Sequence, residues 1–217
     1  MRTRIKICGI TRPEDAAAAA TCGADAIGLV FDPKSPRCLT AGQAAAILAV
    51  VPPFVTTVAL FRDPPQDLVG RILREIAIDL LQFHGQEDPT FCARFAKPYI
   101  KALPMGSVTL AELSAVAADY AAARGVLLDG NRRGERGGQG QCFAWEGLPA
   151  VEKPVVVAGG LAPHNVTDAI TIMAPWGVDV SSGVESSPGI KDHALMHSFV
   201  DQVRRADAAS GARSHVL

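Results

Sequence analysis

Along the chain, short apolar runs alternate with stretches in which apolar residues recur every three to four positions. The runs are Arg4–Cys8, Ala26–Phe31, Val55–Phe61, Asp79–Phe83, Tyr99–Leu103, Gly125–Asp129, Pro154–Ala158 and Val178–Ser181. Their length and β-branched content predict eight strands. The stretches between them predict helices at Pro13–Cys22, Ala41–Val50, Gln66–Ile76, Pro89–Ala96, Leu110–Ala122, Trp145–Val151, Ala162–Met173 and Asp192–Ala208. Leu68, Val69, Ile72, Leu73 and Ile76 share one helical face, as do Leu110, Leu113, Val116, Ala117 and Tyr120. Thr11 stands ahead of Arg12-Pro13-Glu14, which places it to cap the first helix with Glu14 as the reciprocal carboxylate.

Strands that read as continuous apolar runs belong to parallel sheets covered by helices. Eight such units without a long interruption predict closure into an α/β fold of the single (β/α)8 barrel type, with an open doubly wound sheet as the alternative. The 217 residues suit one such domain. The barrel is expected to occupy residues 1–206, and residues 207–217, "DAASGARSHVL", are expected to form a loose tail. In this architecture the active site lies at the C-terminal ends of the strands.

Composition narrows the classes of function. Apolar residues make up 48% and charged residues 20%, enough for a large core. The formal charge is -1 and the Lys and Arg residues are scattered, which argues against nucleic acid as a partner. No apolar run reaches the roughly 18 residues of a membrane span, so the expected location is cytoplasmic. Cys8, Cys22, Cys38, Cys92 and Cys142 include no CxxC pair and no histidine at ligand spacing, which disfavours both structural zinc and a disulfide framework.

Chemistry-bearing residues collect at strand ends. Cys8 follows the first strand, His84 the fourth and Asp129 the sixth, while the glycine-rich segments "VAGGLAPHN" and "VSSGVESSPGIKD" follow the seventh and eighth. Gly159 and Gly160 allow close approach of backbone to an anion, and amides around Ser182 and Gly183 can open a short helix that attracts phosphate. Lys6 and Cys8 lie two apart on a strand and share a side, which alternation alone leaves undetermined; an ammonium beside the sulfur would favour thiolate. Asp129 ends "GVLLDG", where it is either a loop cap or a general acid with a raised pKa. Arg37 in "SPRCLT" can grip a carboxylate with two parallel donors, although a solvated loop arginine is the commoner case.

The segments "KICGIT", "GLVFDPKSPR", "LLQFHG", "LLDG", "VAGGLAPHNV" and "GVDVSSGVESSPGIKD" together resemble the phosphoribosylanthranilate isomerase family of tryptophan biosynthesis, in the family's order from residue 6 to residue 192. One departure stands in Gly137-Gly138-Gln139-Gly140, where Gln139 occupies a position that the family usually gives to a hydroxyl residue. The resemblance implies a cofactor-free Amadori rearrangement of N-(5-phosphoribosyl)anthranilate, with no metal. It also implies Asp129 as the acid that opens the furanose, Cys8 as the thiolate base at C2, and Arg37 on the anthranilate carboxylate. Gly159, Gly160, Ser181, Ser182 and Gly183 would hold the phosphate, with His84 and Asp179 supporting the substrate. The chain is expected as a monomer or homodimer with a phosphorylated small molecule as its partner. Three competitors stay open: the histidine-pathway isomerase, expected to use aspartate in both roles; a ring-closing synthase of the same pathway; and a non-catalytic phosphate-binding barrel.

Overall fold

The computed structural model describes residues 2–130 and 151–213. The eight strands of the sheet are β1 (Arg4–Cys8), β2 (Ala26–Val30), β3 (Thr56–Phe61), β4 (Leu80–Phe83), β5 (Tyr99–Pro104), β6 (Gly125–Asp129), β7 (Val155–Val157) and β8 (Gly177–Val180). Each pairs in parallel with the next, and β8 returns to β1, so the predicted barrel is closed. Helices α1 (Pro13–Cys22), α2 (Ala41–Leu48), α3 (Gln66–Glu75), α4 (Pro89–Ala93), α5 (Leu110–Asp119), α6 (Val166–Met173) and α7 (His193–Arg213) alternate with the strands. A short antiparallel pair, β9 (Glu185–Ser187) with β10 (Ile190–Lys191), follows β8. The predicted helix Trp145–Val151, apart from its last residue, and the Gln139 loop lie outside the described residues.

Alternation along each strand divides the apolar residues into two sets. Ile5, Ile7, Ile27, Leu29, Phe61, Phe83, Val126, Leu128, Val178 and Val180 face the helices in the larger core. Ile100, Ala102, Leu127, Val156 and Ala158 fill a smaller core inside the barrel. On the outer face, rings run from strand to strand: Phe31 to Phe61 at 5.5 Å between centroids, Phe61 to Phe83 at 6.3 Å, and Phe83 to Tyr99 at 5.8 Å. Burying each aromatic side chain contributes roughly 1.5–3 kcal/mol, so this ladder is a main source of cohesion on the β2–β5 side.

Lys101 of β5 points outward into that helix-facing core although it is charged. Its Nζ donates to Gly85 O at 2.7 Å, Phe83 O at 3.3 Å and Glu87 Oε2 at 3.1 Å. Glu87 also accepts the amides of Asp63 and Gly85. The pair, both side chains 2% exposed, thus fixes the loop that leaves β4 and carries His84.

Two helix ends differ from the sequence reading. Arg12, not Thr11, is the residue before α1, and no side chain caps the helix; the Thr11 hydroxyl donates instead to Gly189 O, across to the loop before β10. Helix α7 continues to Arg213, past the residue at which a loose tail was expected. Ala206 is buried, and Asp207 accepts the backbone amide and hydroxyl of Thr3, so packing and hydrogen bonds carry the helix onward.

Candidate active site

Outward packing of Ile5 and Ile7 forces Lys6 and Cys8 into the barrel. The same parity turns Gln82 and Asp129 inward, because Phe83 and Leu128 face the helices. At the C-terminal mouth one pocket of about 820 Å³, counted out to its open rim, is lined by Cys8, Arg37, His84, Asp129, Gly159, Gly160, Asp179, Ser181 and Ser182 among others. Nine of the ten residues singled out from the sequence therefore meet there.

The tenth, Gly183, stands behind the pocket wall, in a 3-10 turn over Ser182–Val184. A methyl group on its Cα would come within 1.9 Å of Leu161 O, so the turn after β8 presses directly on the loop after β7. Gly159 and Gly160 hold left-handed φ values of 82° and 65° in that loop. Gly183→Ala is expected to lower stability by about 1–3 kcal/mol through overpacking, read as a drop in urea midpoint at constant slope. An unchanged midpoint would show that the two loops are not locked together.

Lys6 and Asp179 are register partners on β1 and β8, and Nζ donates to Asp179 Oδ1 at 2.8 Å with both side chains buried. Burial opposes the charge on Lys6, but Asp179 and the Cys8 sulfur outweigh it and hold the ammonium above the ordinary lysine range. For Cys8 the balance falls the other way. Lys6 favours thiolate, as expected of a neighbouring ammonium, but burial is the larger effect and pushes the thiol above the ordinary cysteine value. Gly28 on β2 makes the room: a Cβ there would lie 2.6 Å from the sulfur and 3.1 Å from Lys6 Nζ.

Asp129 is reached from β4. His84 Nε2 lies 2.9 Å from Asp129 Oδ2, and Gln82 Nε2 lies 2.9 Å from His84 Nδ1. With the Gln82 amide donating to Nδ1, the imidazole carries its proton on Nε2 and donates to the carboxylate. Gln82 is fully buried, and its Oε1 has no hydrogen-bond partner among the described residues. This relay was readable in principle, since Gln82 is a polar residue in an apolar run two positions before His84.

Arg37 is more committed than the sequence indicated. Its Nε and Nη2 donate to Glu185 Oε1 and Oε2 at 2.8 and 2.6 Å, and Lys191 Nζ donates to Glu185 Oε1 at 2.8 Å. Burial resists the charge on Glu185, but the Arg37 hydrogen bonds and Lys191 hold its pKa below the usual carboxylate range. Glu185 thus takes the Nε and one Nη2 proton, leaving the Nη1/Nη2 edge of the guanidinium as the two-donor grip for a substrate carboxylate. Asp32, Arg62, Glu185 and Lys191 all escaped the sequence reading; a pairing across 148 residues leaves no local signal.

Fold and rim define a (β/α)8-barrel enzyme in which a thiol, an imidazole and carboxylates share one pocket beside two glycine loops. The model of the N-(5'phosphoribosyl)anthranilate (PRA) isomerase family matches residues 5–202, and the chain belongs to that family. It is 52% identical to the N-(5'-phosphoribosyl)anthranilate isomerase of Pseudomonas fluorescens over 93% of this chain and 98% of that one. The corresponding protein of Halorhodospira halophila is 49% identical over 95% and 99%. Among solved structures, phosphoribosyl anthranilate isomerase from Thermotoga maritima superposes with a TM-score of 0.81 at 34% identity, covering 94% of this chain and 99% of that one. Another, solved with reduced 1-(o-carboxyphenylamino)-1-deoxyribulose 5-phosphate bound, gives 0.78 at 32% identity over 94% and 99%. The activity is an intramolecular isomerisation of tryptophan biosynthesis. No described helix is long and apolar enough to cross a membrane.

Proposed function

We propose that the pocket converts N-(5-phosphoribosyl)anthranilate to the 1-deoxyribulose 5-phosphate derivative with Asp129 as general acid and Cys8 as general base. The observation that carries this division of labour is strand order. Asp129 ends β6 and Cys8 ends β1, and between them come β7 and β8 with their glycine loops, all lining one pocket. A sugar held by its phosphate at those loops has acid on one flank and base on the other. The Gly160 and Ser182 backbone and the Ser181 side chain suit that anion, and Gly183 sets the spacing of the loops.

Protonated Asp129 gives its proton to the ring oxygen as the C1–O bond breaks and the amine lone pair forms an iminium. The Cys8 thiolate then takes the proton from C2, and that electron pair forms the C1=C2 bond of an enolamine while nitrogen becomes neutral. Proton shift from the C2 hydroxyl to C1 yields the ketone. The amine itself is the electron sink. Burial keeps Cys8 protonated at rest; as the iminium adds a cation to Lys6, Lys191 and Arg37 around the sulfur, the thiol loses its proton to solvent at the pocket mouth and becomes the thiolate that acts at C2. His84 donates to Asp129 and stabilises the carboxylate left after proton delivery, Asp179 anchors Lys6, and Arg37 offers its free Nη1/Nη2 edge to the anthranilate carboxylate. A cytoplasmic setting fits the four described cysteines, all free thiols.

The purified chain should consume N-(5-phosphoribosyl)anthranilate, followed by anthranilate fluorescence, in preference to the aminoaldose of the histidine-pathway reaction assayed beside it. Turnover of the aminoaldose alone would overturn the assignment.

A further inference from the structure

Gln82 breaks the pattern of its surroundings. It turns inward on β4, and its register partners are Leu60 of β3 and Ile100 of β5. Both are apolar and face inward with it, since Phe61 packs against the helices and Ile100 belongs to the smaller core. An apolar side chain would suit the position. The glutamine instead leaves its Oε1 buried without a hydrogen-bond partner among the described residues, which costs stability. A polar residue held there against the packing around it points to a task in the site.

That task follows from the two nitrogens of His84. A neutral imidazole has one N–H and one lone pair. Gln82 Nε2, 2.9 Å from Nδ1, donates to the lone pair there, so the ring proton stands on Nε2, 2.9 Å from Asp129 Oδ2. With the proton on Nδ1 instead, Nε2 would be an acceptor facing the Asp129 carboxyl. The acid proton would then be held between Asp129 and the ring rather than delivered to the furanose oxygen. Gln82 is fully buried and does not line the pocket, so it acts on the reaction only through His84. We infer that Gln82 is a positioning residue: its amide keeps His84 a donor to Asp129, which leaves the acid's proton free for the substrate.

This inference rests on Asp129 as the general acid, and the test separates the two. Gln82→Met removes the donor and the unpaired oxygen at nearly constant volume. Its urea midpoint should equal or exceed that of the wild-type chain. Its kcat on N-(5-phosphoribosyl)anthranilate should fall by about tenfold or more at constant KM, the scale of a hydrogen bond to a charged group. In an Asp129→Asn background the same change should cost less than about twofold, because no acid proton remains to be directed. Nitrogen NMR of the histidine-labelled chain, with His84 assigned by the loss of its signals in His84→Gln, gives a reading that packing alone does not move. His84 should be protonated on Nε2 in the wild-type chain and no longer solely there in Gln82→Met. Wild-type kcat from Gln82→Met, or an equal loss in both backgrounds, would overturn the inference and leave the function standing. So would a wild-type His84 protonated on Nδ1, a result that needs no variant. Full turnover by Asp129→Asn itself would overturn the acid and the inference with it.

Discussion

Asp129→Asn lowers kcat and kcat/KM together by about a hundredfold or more, the scale of a positioned proton donor. The substitution keeps the shape of the side chain and removes the acidic proton, so the fold and the phosphate subsite are unaffected. Cys8→Ala produces a loss of similar size, because nothing else on β1 can take a proton from C2. Steady-state kinetics on N-(5-phosphoribosyl)anthranilate checks both. A rise in KM at constant kcat would mean that the residue binds substrate without moving a proton, and wild-type turnover from either variant would refute its role. The pH profile gives an independent reading. Burial holds the Cys8 thiol above the ordinary cysteine value, so kcat/KM of the wild-type enzyme, which reports free-enzyme ionisations, climbs on the alkaline side as thiolate accumulates. A limb that was complete below neutrality would contradict the position assigned to the sulfur.

Lys101→Met is expected to cost about 3–5 kcal/mol of folding stability, although Lys101 lies outside the pocket. Its Nζ serves Gly85 O, Phe83 O and Glu87 Oε2 between β5 and the helices, with almost none of the side chain exposed. The methionine fills most of the volume but leaves Glu87 as a buried carboxylate held only by backbone amides. Urea denaturation at unchanged slope is the measure. Glu87→Gln should be similarly costly, and the double variant should recover part of the loss, because the larger share of each single penalty is the stranded charge. Exposed pairs such as Arg204 with Asp201 should matter far less, since water screens both partners. A loss no greater than that of such an exposed pair would show that water reaches Lys101.

The barrel itself was legible because each strand repeats one signal: a short apolar run, then a turn, then an amphipathic helix. Helix ends were less so. Thr11 has the residue type and position of a cap, yet its hydroxyl is drawn to Gly189, nearly the whole chain away in sequence. Site residues at strand ends could be listed from the sequence because the architecture sends them to one rim. Their orientation could not, since Lys6 and Cys8 read equally well on either side until the packing of Ile5 and Ile7 decides. Charge pairings were the least accessible layer. Arg37 with Glu185 and Lys6 with Asp179 join opposite ends of the chain, and they reset the free donors of one residue and the ionisation of its neighbour. The thiol shows the limit well: proximity to an ammonium argues for thiolate, and only the depth of burial reverses the sign.

The near-complete enclosure of Cys8 against Gly28 has a protective side. Peroxides and alkylating reagents attack thiolates that they can reach, so a sulfur both shielded and protonated at rest reacts with them slowly. The enzyme can therefore keep an unoxidised nucleophile in an open vestibule and expose its reactivity only to the cation that the reaction itself creates.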